Sequence, residues 1–468
     1  MSKLSKLYVF GIGGTGSRVL KALTMLLASG VECKSTIVPV IIDPDLDAKD
    51  LTRATDLLKD YTKIRTKAEV KNDGGDTFFR TEILQWDTDF RLPIDNTQDS
   101  MFKDFIGFEN LKESNRALCE ALFSEKNLNS KMKVGFKGNP NIGSVVLNQF
   151  AQSQAFRKLA NSFADGDKIF IISSIFGGTG ASGFPLLLKN LRTNKDIPNH
   201  LLINNAKIGA VTVLPYFSLK SNPESEIDSS TFISKTKSAL SYYEKNISAN
   251  NSLDALYYIG DDLTKELKNC EGGSDQQNPA HFVELASALA VLDFAAAKLP
   301  DERNTIHKEF GVKEDKNELN FAFLCSPTNK KIRNRLIQMY LAAKYFDSEI
   351  KTQINYQPWA KTRKIGSAFL NDTEFFGIIK EFCEGFKVWI AEMSQTSRSF
   401  NPFNLNTSET DIFKTINDIT PNGSRLRSYA LIDHYLNGEI NDKAKNEVQF
   451  LRMFFNATKQ AVEQKFNN

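Results

Sequence analysis

Two glycine-rich segments carry the residue types and spacing that could do chemistry in this chain. The first is Gly11-Ile12-Gly13-Gly14-Thr15-Gly16-Ser17, set between an apolar run at residues 7–10 and a helical pattern through Val19, Leu20, Leu23, Leu26 and Leu27. The second is Phe176-Gly177-Gly178-Thr179-Gly180-Ala181-Ser182-Gly183, directly after the run Lys168–Ser174 and before a helical pattern at residues 186–191. Glycines let a backbone turn sharply and approach an anion with no side chain intervening, and the free N–H groups and dipole of the next helix then favour phosphate charge. Thr179 adds a hydroxyl, and consecutive N–H groups can form an anion nest. Each segment alone also describes a tight strand-to-helix turn with no ligand; two in one sheet point to the phosphates of a purine nucleotide. Neither is followed by Lys-Ser or Lys-Thr, so lysine-assisted ATPase chemistry of the Walker type is not indicated.

A third feature is Val40-Ile41-Ile42-Asp43-Pro44-Asp45, which leaves two carboxylates at the end of a second apolar run. In open α/β sheets ligands bind at that edge, so Asp43 or Asp45 could hydrogen-bond a ribose or help hold Mg2+ beside phosphates. A plain Asp- and Pro-rich turn has the same composition.

The elements that must position these residues alternate in type. Strand-like runs at 7–10, 37–42, Lys168–Ser174, 208–216 and Ala255–Ile259 are continuously apolar and separated by helical patterns, one of them at 231–245. That pattern predicts an α/β fold whose parallel sheet is covered on both faces. Residues 279–298 read as one long apolar helix, with Asn278 as cap and Pro279 in the first turn. A further strand is expected at 319–325. From about 328 onward the chain is mostly amphipathic helix, notably at 332–346 and 375–390, with breaks near 355–367 and 397–423. The expected division is a Rossmann-like nucleotide-binding domain over 1–300, closed by the long helix, and a mainly helical part over 301–468. The helical stripes of that second part read as core, or as a partner surface.

Composition narrows the classes. A chain of 468 residues exceeds one ordinary core. Hydrophobic residues at 41% and charged residues at 25% suit a globular protein, and a net charge of +3 gives no support to nucleic-acid binding. No segment reaches the length of a membrane span, and the N-terminus lacks the form of a signal peptide. The five cysteines are scattered and unpaired in spacing, and the four histidines are scattered too. Reduced thiols, a cytoplasmic location and no protein-held metal cluster are the expectations.

The second glycine loop resembles the phosphate-binding signature of tubulin and FtsZ, G-G-G-T-G-[ST]-G, and Pro185 matches the proline that follows it in FtsZ. Phe176 stands where that signature has its first glycine, and Ser182 where another glycine is usual. GIGGTGSRVLKAL is similar to the N-terminal FtsZ loop. Phe136-Lys137-Gly138-Asn139-Pro140-Asn141-Ile142-Gly143-Ser144 looks like the loop that contacts the terminal phosphate, and VTVLPYF like the strand toward the ribose. The resemblance spans about residues 5–300 and looks like a divergent bacterial tubulin-like group, because segments such as 46–135 are longer than in FtsZ. It implies GTP or GDP with Mg2+ as cofactors, contacts from Gly138 and Asn141, guanine recognition by Asn278, and self-association with nucleotide between subunits. The N-x-D-x-x-D pattern that serves hydrolysis in FtsZ is absent. Asp293 echoes part of it, and Glu284, Asp301 and Glu302 are the other candidate carboxylates, so GTPase activity and polymerisation are open expectations.

Three other readings remain. An adenylating enzyme of the ubiquitin-activating type also begins strand-GIGGTGS-helix and has a strand ending in D-x-D before a polar segment like DLTRATDLL, yet it has no counterpart of FGGTGASG. An NAD-binding oxidoreductase lacks a catalytic constellation here. A scaffold that binds GTP without turnover would use the helical part to hold partners.

Overall fold

A computed structural model describes residues 4–466, except 73–74, 150–151, 221–230, 264–265, 268–271, 314–315, 406, 408–409, 424–425, 427 and 439–445. Its centre is a parallel six-stranded sheet. The strands are β1 (Lys6–Ile12), β2 (Thr36–Ile42), β3 (Lys168–Ser174), β4 (Lys207–Val213), β5 (Ala255–Ile259) and β6 (Ile306–Glu309), in the order β2-β1-β3-β4-β5-β6. β1 and β2 are buried at every position, as expected of strands covered on both faces. β6 is a mostly exposed, polar edge strand, which is why apolarity did not reveal it. Along the free edge of β2, Ile37 and Ile41 make parallel bridges to Ile83 and Arg91. The segment 82–92 is therefore a broken seventh strand, and the strand order reverses between β1 and β3.

Helices α1 (Gly13–Ala28) and α2 (Lys49–Ala68) follow β1 and β2. Next come α3 (Pro140–Leu147), α4 (Gly178–Thr193), α5 (Phe232–Tyr243) and α6 (Phe282–Ala296). The helical remainder is built on α7 (Ser326–Ser348), α8 (Ile378–Ser394), α9 (Ser428–Gly438) and α10 (Asn446–Phe466). α6 packs on α1, α3 on α4, and α7 on α8 and α10. Phe79 meets Phe382 with ring centroids 5.0 Å apart and Phe78 meets Phe455 at 5.1 Å, so the helical part shares core with the α2 side of the sheet. No helix among the described residues is long and apolar enough to cross a membrane.

Two expectations are corrected. The long helix starts at Phe282 rather than Pro279, and Asn278 is not its cap. His281 takes that role: its Nδ1 accepts from Val283 N–H at 3.1 Å, while Glu284 reaches back to His281 N–H at 3.2 Å. This reciprocal box sets the start three residues late. At 319–325 there is only a two-residue strand, Glu318–Leu319, paired with Ser399–Phe400. The Asn320 side chain then accepts from Ala322 N–H at 2.8 Å and turns the chain into the short helix Phe321–Phe323.

Candidate functional site

Both glycine loops leave the C-terminal ends of neighbouring strands at the reversal point of the sheet, the place where open α/β folds bind ligands. Gly13 turns the chain with φ of +71° and opens α1; Gly178 opens α4. A Cβ on Gly13 would lie 3.4 Å from the Thr179 Cβ, so the two loops are in contact. Two helix N-termini with unspent N–H groups therefore converge on one space.

That space is a cleft of about 930 Å³, open mouth included, and it is large enough for a nucleotide. Of the residues singled out in the sequence, Gly13, Gly14, Thr15, Asp43, Asp45, Gly138, Gly177, Gly178, Thr179, Gly180 and Asn278 line it. Gly11, Gly16, Ser17, Asn141, Ala181 and Ser182 do not. Gly11 and Gly16 serve packing: a Cβ on Gly16 would come within 2.4 Å of the Gly11 carbonyl carbon, so α1 is pressed against the strand it leaves. Ser17 is fully buried, and its hydroxyl sits 3.4 Å from the Gly13 carbonyl oxygen. Asn141, Ala181 and Ser182 face a second cleft between α3, α4 and α5.

Phe176 departs from the tubulin signature with a visible consequence. Its ring packs on Phe232 at 5.0 Å and Phe217 at 5.6 Å, giving the cleft an aromatic wall. Phe217 closes the run VTVLPYF that resembles the strand toward the ribose, whereas Phe232 was not predicted, because nothing local marks it.

Asp43 and Asp45 stand side by side at the cleft. Asp45 N–H donates to Asp43 Oδ1 at 3.1 Å, and Gly273 N–H donates to Asp45 Oδ2 at 2.7 Å. Asp45 Oδ1 is buried with no hydrogen-bond partner among the described residues. Burial lifts the Asp43 carboxyl to about 7 and raises that of Asp45 as well. An orphaned carboxylate oxygen beside a second carboxyl fits Mg2+, which takes one or two carboxylates and completes its shell with phosphates and water. No group of three or more metal-ligating side chains occurs among the described residues.

Behind the cleft is a charged hub that the sequence did not reveal. Arg18 donates to Glu284 Oε1 and to Asp50 Oδ2, each at 2.6 Å, and to the Tyr216 hydroxyl at 2.7 Å. Its guanidinium also reaches the Thr15 hydroxyl at 3.3 Å. Burial and the Arg18 charge oppose each other at Glu284, and burial prevails, raising its carboxyl. Asp50 in turn accepts from both the backbone N–H and the side-chain amide of Asn278, each at 3.1 Å. Asn278 thus reaches the cleft with its NH2 group turned toward Asp50.

The candidate hydrolytic acids separate into three places. Glu284 belongs to the hub. Asp293 accepts from the Tyr257 hydroxyl at 2.7 Å and pairs with Lys308, so it ties α6 to β5 and β6. Asp301 and Glu302 are exposed, beyond the C-terminal end of α6. Lys207, the first residue of β4, donates to the carbonyls of Pro300 and Asp301. The loop bearing both acids therefore lies at the opposite end of the sheet from the glycine loops, roughly 20 Å away along a seven-residue strand.

No family model and no curated protein matches the chain. Among solved structures it is similar to CetZ2 from Haloferax volcanii in a GTPγS-bound protofilament, at 14% identity and a TM-score of 0.29 over 63% of this chain and 60% of that one. It is also similar to an empty FtsZ dimer from M. jannaschii, at 16% identity and a TM-score of 0.28 over 62% of this chain and 52% of that one. The chain thus spans less than two thirds of either relative's length. By its own geometry the molecule is an α/β protein with paired glycine loops at the switch point of a doubly wound sheet.

Proposed function

We propose that the chain is a guanine-nucleotide-binding protein of the tubulin/FtsZ type, taking GTP and GDP with Mg2+. The nucleotide-binding part would run to about residue 300. The observation that carries this reading is the convergence of both glycine loops, each opening a helix, on one cleft that also holds Asp43 and Asp45. In this reading the N–H groups of residues 13–15 and 178–180 hold the phosphates, and Asp45 and Asp43 hold Mg2+, which neutralises phosphate charge. The sugar and base lie toward Phe217 and Asn278. The adenylating alternative draws on the likeness of the polar segment DLTRATDLL at the start of α2. Here Arg53 is paired with Glu392, and Asp50 with Arg18 and Asn278.

GTP hydrolysis and self-assembly form the finer part of the proposal. Asp301 and Glu302 cannot reach the cleft of their own chain, so they serve hydrolysis only when a second copy stacks end to end. Complementation tests this. Gly14→Asp blocks the cleft and leaves the distant loop, while the Asp301→Ala/Glu302→Ala double variant does the reverse. Each alone should lack turnover, and an equimolar mixture should regain a substantial fraction of the wild-type rate. A mixture no more active than its components overturns the shared-site mechanism.

A further inference from the structure

The segment 272–278, which leads toward α6, is fastened to the first cleft through its backbone. Gly273 N–H donates to Asp45 Oδ2 at 2.7 Å, and Asn278 N–H donates to Asp50 Oδ1 at 3.1 Å. Between these two anchors stands Gln276. Its carbonyl accepts from Asp50 N–H at 3.2 Å, and its own N–H donates to the Gly273 carbonyl at 3.0 Å, closing the short helix Gly273–Asp275. Both backbone groups of Gln276 are therefore spent, and the position from which its side chain starts is fixed.

The side chain is not spent. Gln276 lines the cleft, is partly buried, and its amide makes no hydrogen bond to any described residue. Neither polar atom of that amide is sealed from the surface. Its Nε2 lies 3.8 Å from where a Cβ on Gly14 would stand, which sets the NH2 group beside the first glycine loop. An amide donor on a clamped backbone, next to the N–H groups left open at the start of α1, loses little freedom when an anion arrives. Its hydrogen bond to a phosphate oxygen would be charge-assisted, roughly twice as strong as one to a sugar hydroxyl.

We propose that Gln276 is a phosphate contact of this cleft, its Nε2 donating to a non-bridging oxygen of the phosphate held at the first glycine loop. The inference rests on the nucleotide reading above and deepens it. The phosphate cradle then has a side-chain donor from the segment before α6, in addition to the backbone N–H groups of the two loops.

The test compares wild type with Gln276→Leu, which keeps the bulk and removes the donor, and Gln276→Glu, which sets a carboxylate beside the phosphate. GTP and 2′,3′-dideoxy-GTP are titrated into each full-length protein with Mg2+ and followed by calorimetry. Gln276→Leu should weaken both ligands by about tenfold, the loss expected for a hydrogen bond to a charged group. Gln276→Glu should weaken both further. Without ligand, both variants should melt with wild type, because the side chain has no partner to lose. Variants that bind GTP as tightly as wild type overturn the contact and leave the nucleotide reading standing. A loss seen with GTP but not with the dideoxy analogue places Gln276 on the sugar hydroxyls and overturns the phosphate contact. A lowered Tm in both ligand-free variants makes the residue part of the packing of its own segment and likewise overturns it. A wild-type protein that binds no guanine nucleotide removes the nucleotide reading, and this inference with it.

Discussion

Arg18 Nε lies 2.6 Å from Glu284 Oε1, and this buried ion pair joins the helix after the first glycine loop to the central helix. The same guanidinium holds Asp50, which holds Asn278, so the hub links the helix after the first glycine loop to Asn278 in the lining of the cleft. Removing one member of such a cluster leaves the others buried and uncompensated. Arg18→Met should cost about 3–5 kcal/mol in denaturant unfolding. Adding Glu284→Gln should recover part of that loss, because one orphaned charge disappears. A double variant as destabilised as the sum of the singles would show that the two residues are not coupled.

Glycines of the same loop should behave differently. A Cβ on Gly16 meets the Gly11 backbone at 2.4 Å, whereas one on Gly14 finds nothing closer than 3.6 Å. Gly16→Ala should therefore destabilise the fold by on the order of 2 kcal/mol or more, and Gly14→Ala by well under 1 kcal/mol. Thermal unfolding of the two variants checks this, and equal losses would contradict the packing role of Gly16.

Asp43 predicts a pH dependence. Burial lifts its carboxyl from an ordinary 3.8 to about 7, so between those values the folded chain holds a proton that the unfolded chain has released. Stability from this group is then full at the acid end, falls as pH rises through that window, and stays low above it. Asp43→Asn keeps an acceptor for Asp45 N–H and removes the titration. Without nucleotide or Mg2+, the variant should exceed wild type in stability by on the order of 1–3 kcal/mol at pH 8. The gap should close toward pH 4. A gap independent of pH would place the raised carboxyl elsewhere.

Phe176 stands where the tubulin signature has glycine, and its ring contacts Phe217 and Phe232 in the cleft wall. Phe176→Ala should open that wall and cost about 3–5 kcal/mol of stability, as for other buried rings. Nucleotide affinity should also fall severalfold at a temperature where the variant is folded. Unchanged affinity would separate the aromatic wall from the ligand.

Much of this arrangement was legible because it is local. β1 and β3 announced themselves as apolar runs ending in glycines, and eleven of the seventeen residues singled out line the cleft. What escaped reading depends on distance along the chain. The partners of Arg18 lie 32, 198 and 266 residues away, and no periodicity marks such a hub. The start of α6 was misplaced because a His281–Glu284 box, in place of the usual Ser or Thr form, caps it. The strand 82–92 was missed because it pairs only at two separated bridges. A glycine in a sequence also does not say whether it faces an open cleft, as Gly14 does, or a neighbouring backbone, as Gly16 does.

The central claim is that the paired loops hold a guanine nucleotide. Calorimetric titration of the full chain with GTP, GDP, ATP and NAD in the presence of Mg2+, repeated on Gly14→Asp, tests it most directly. The account predicts binding of GTP and GDP in preference to ATP and NAD, and at least a hundredfold loss in a Gly14→Asp protein whose fold is intact. Preference for ATP would favour adenylating chemistry, and no binding of any nucleotide would leave the glycine loops as structural turns and contradict the account.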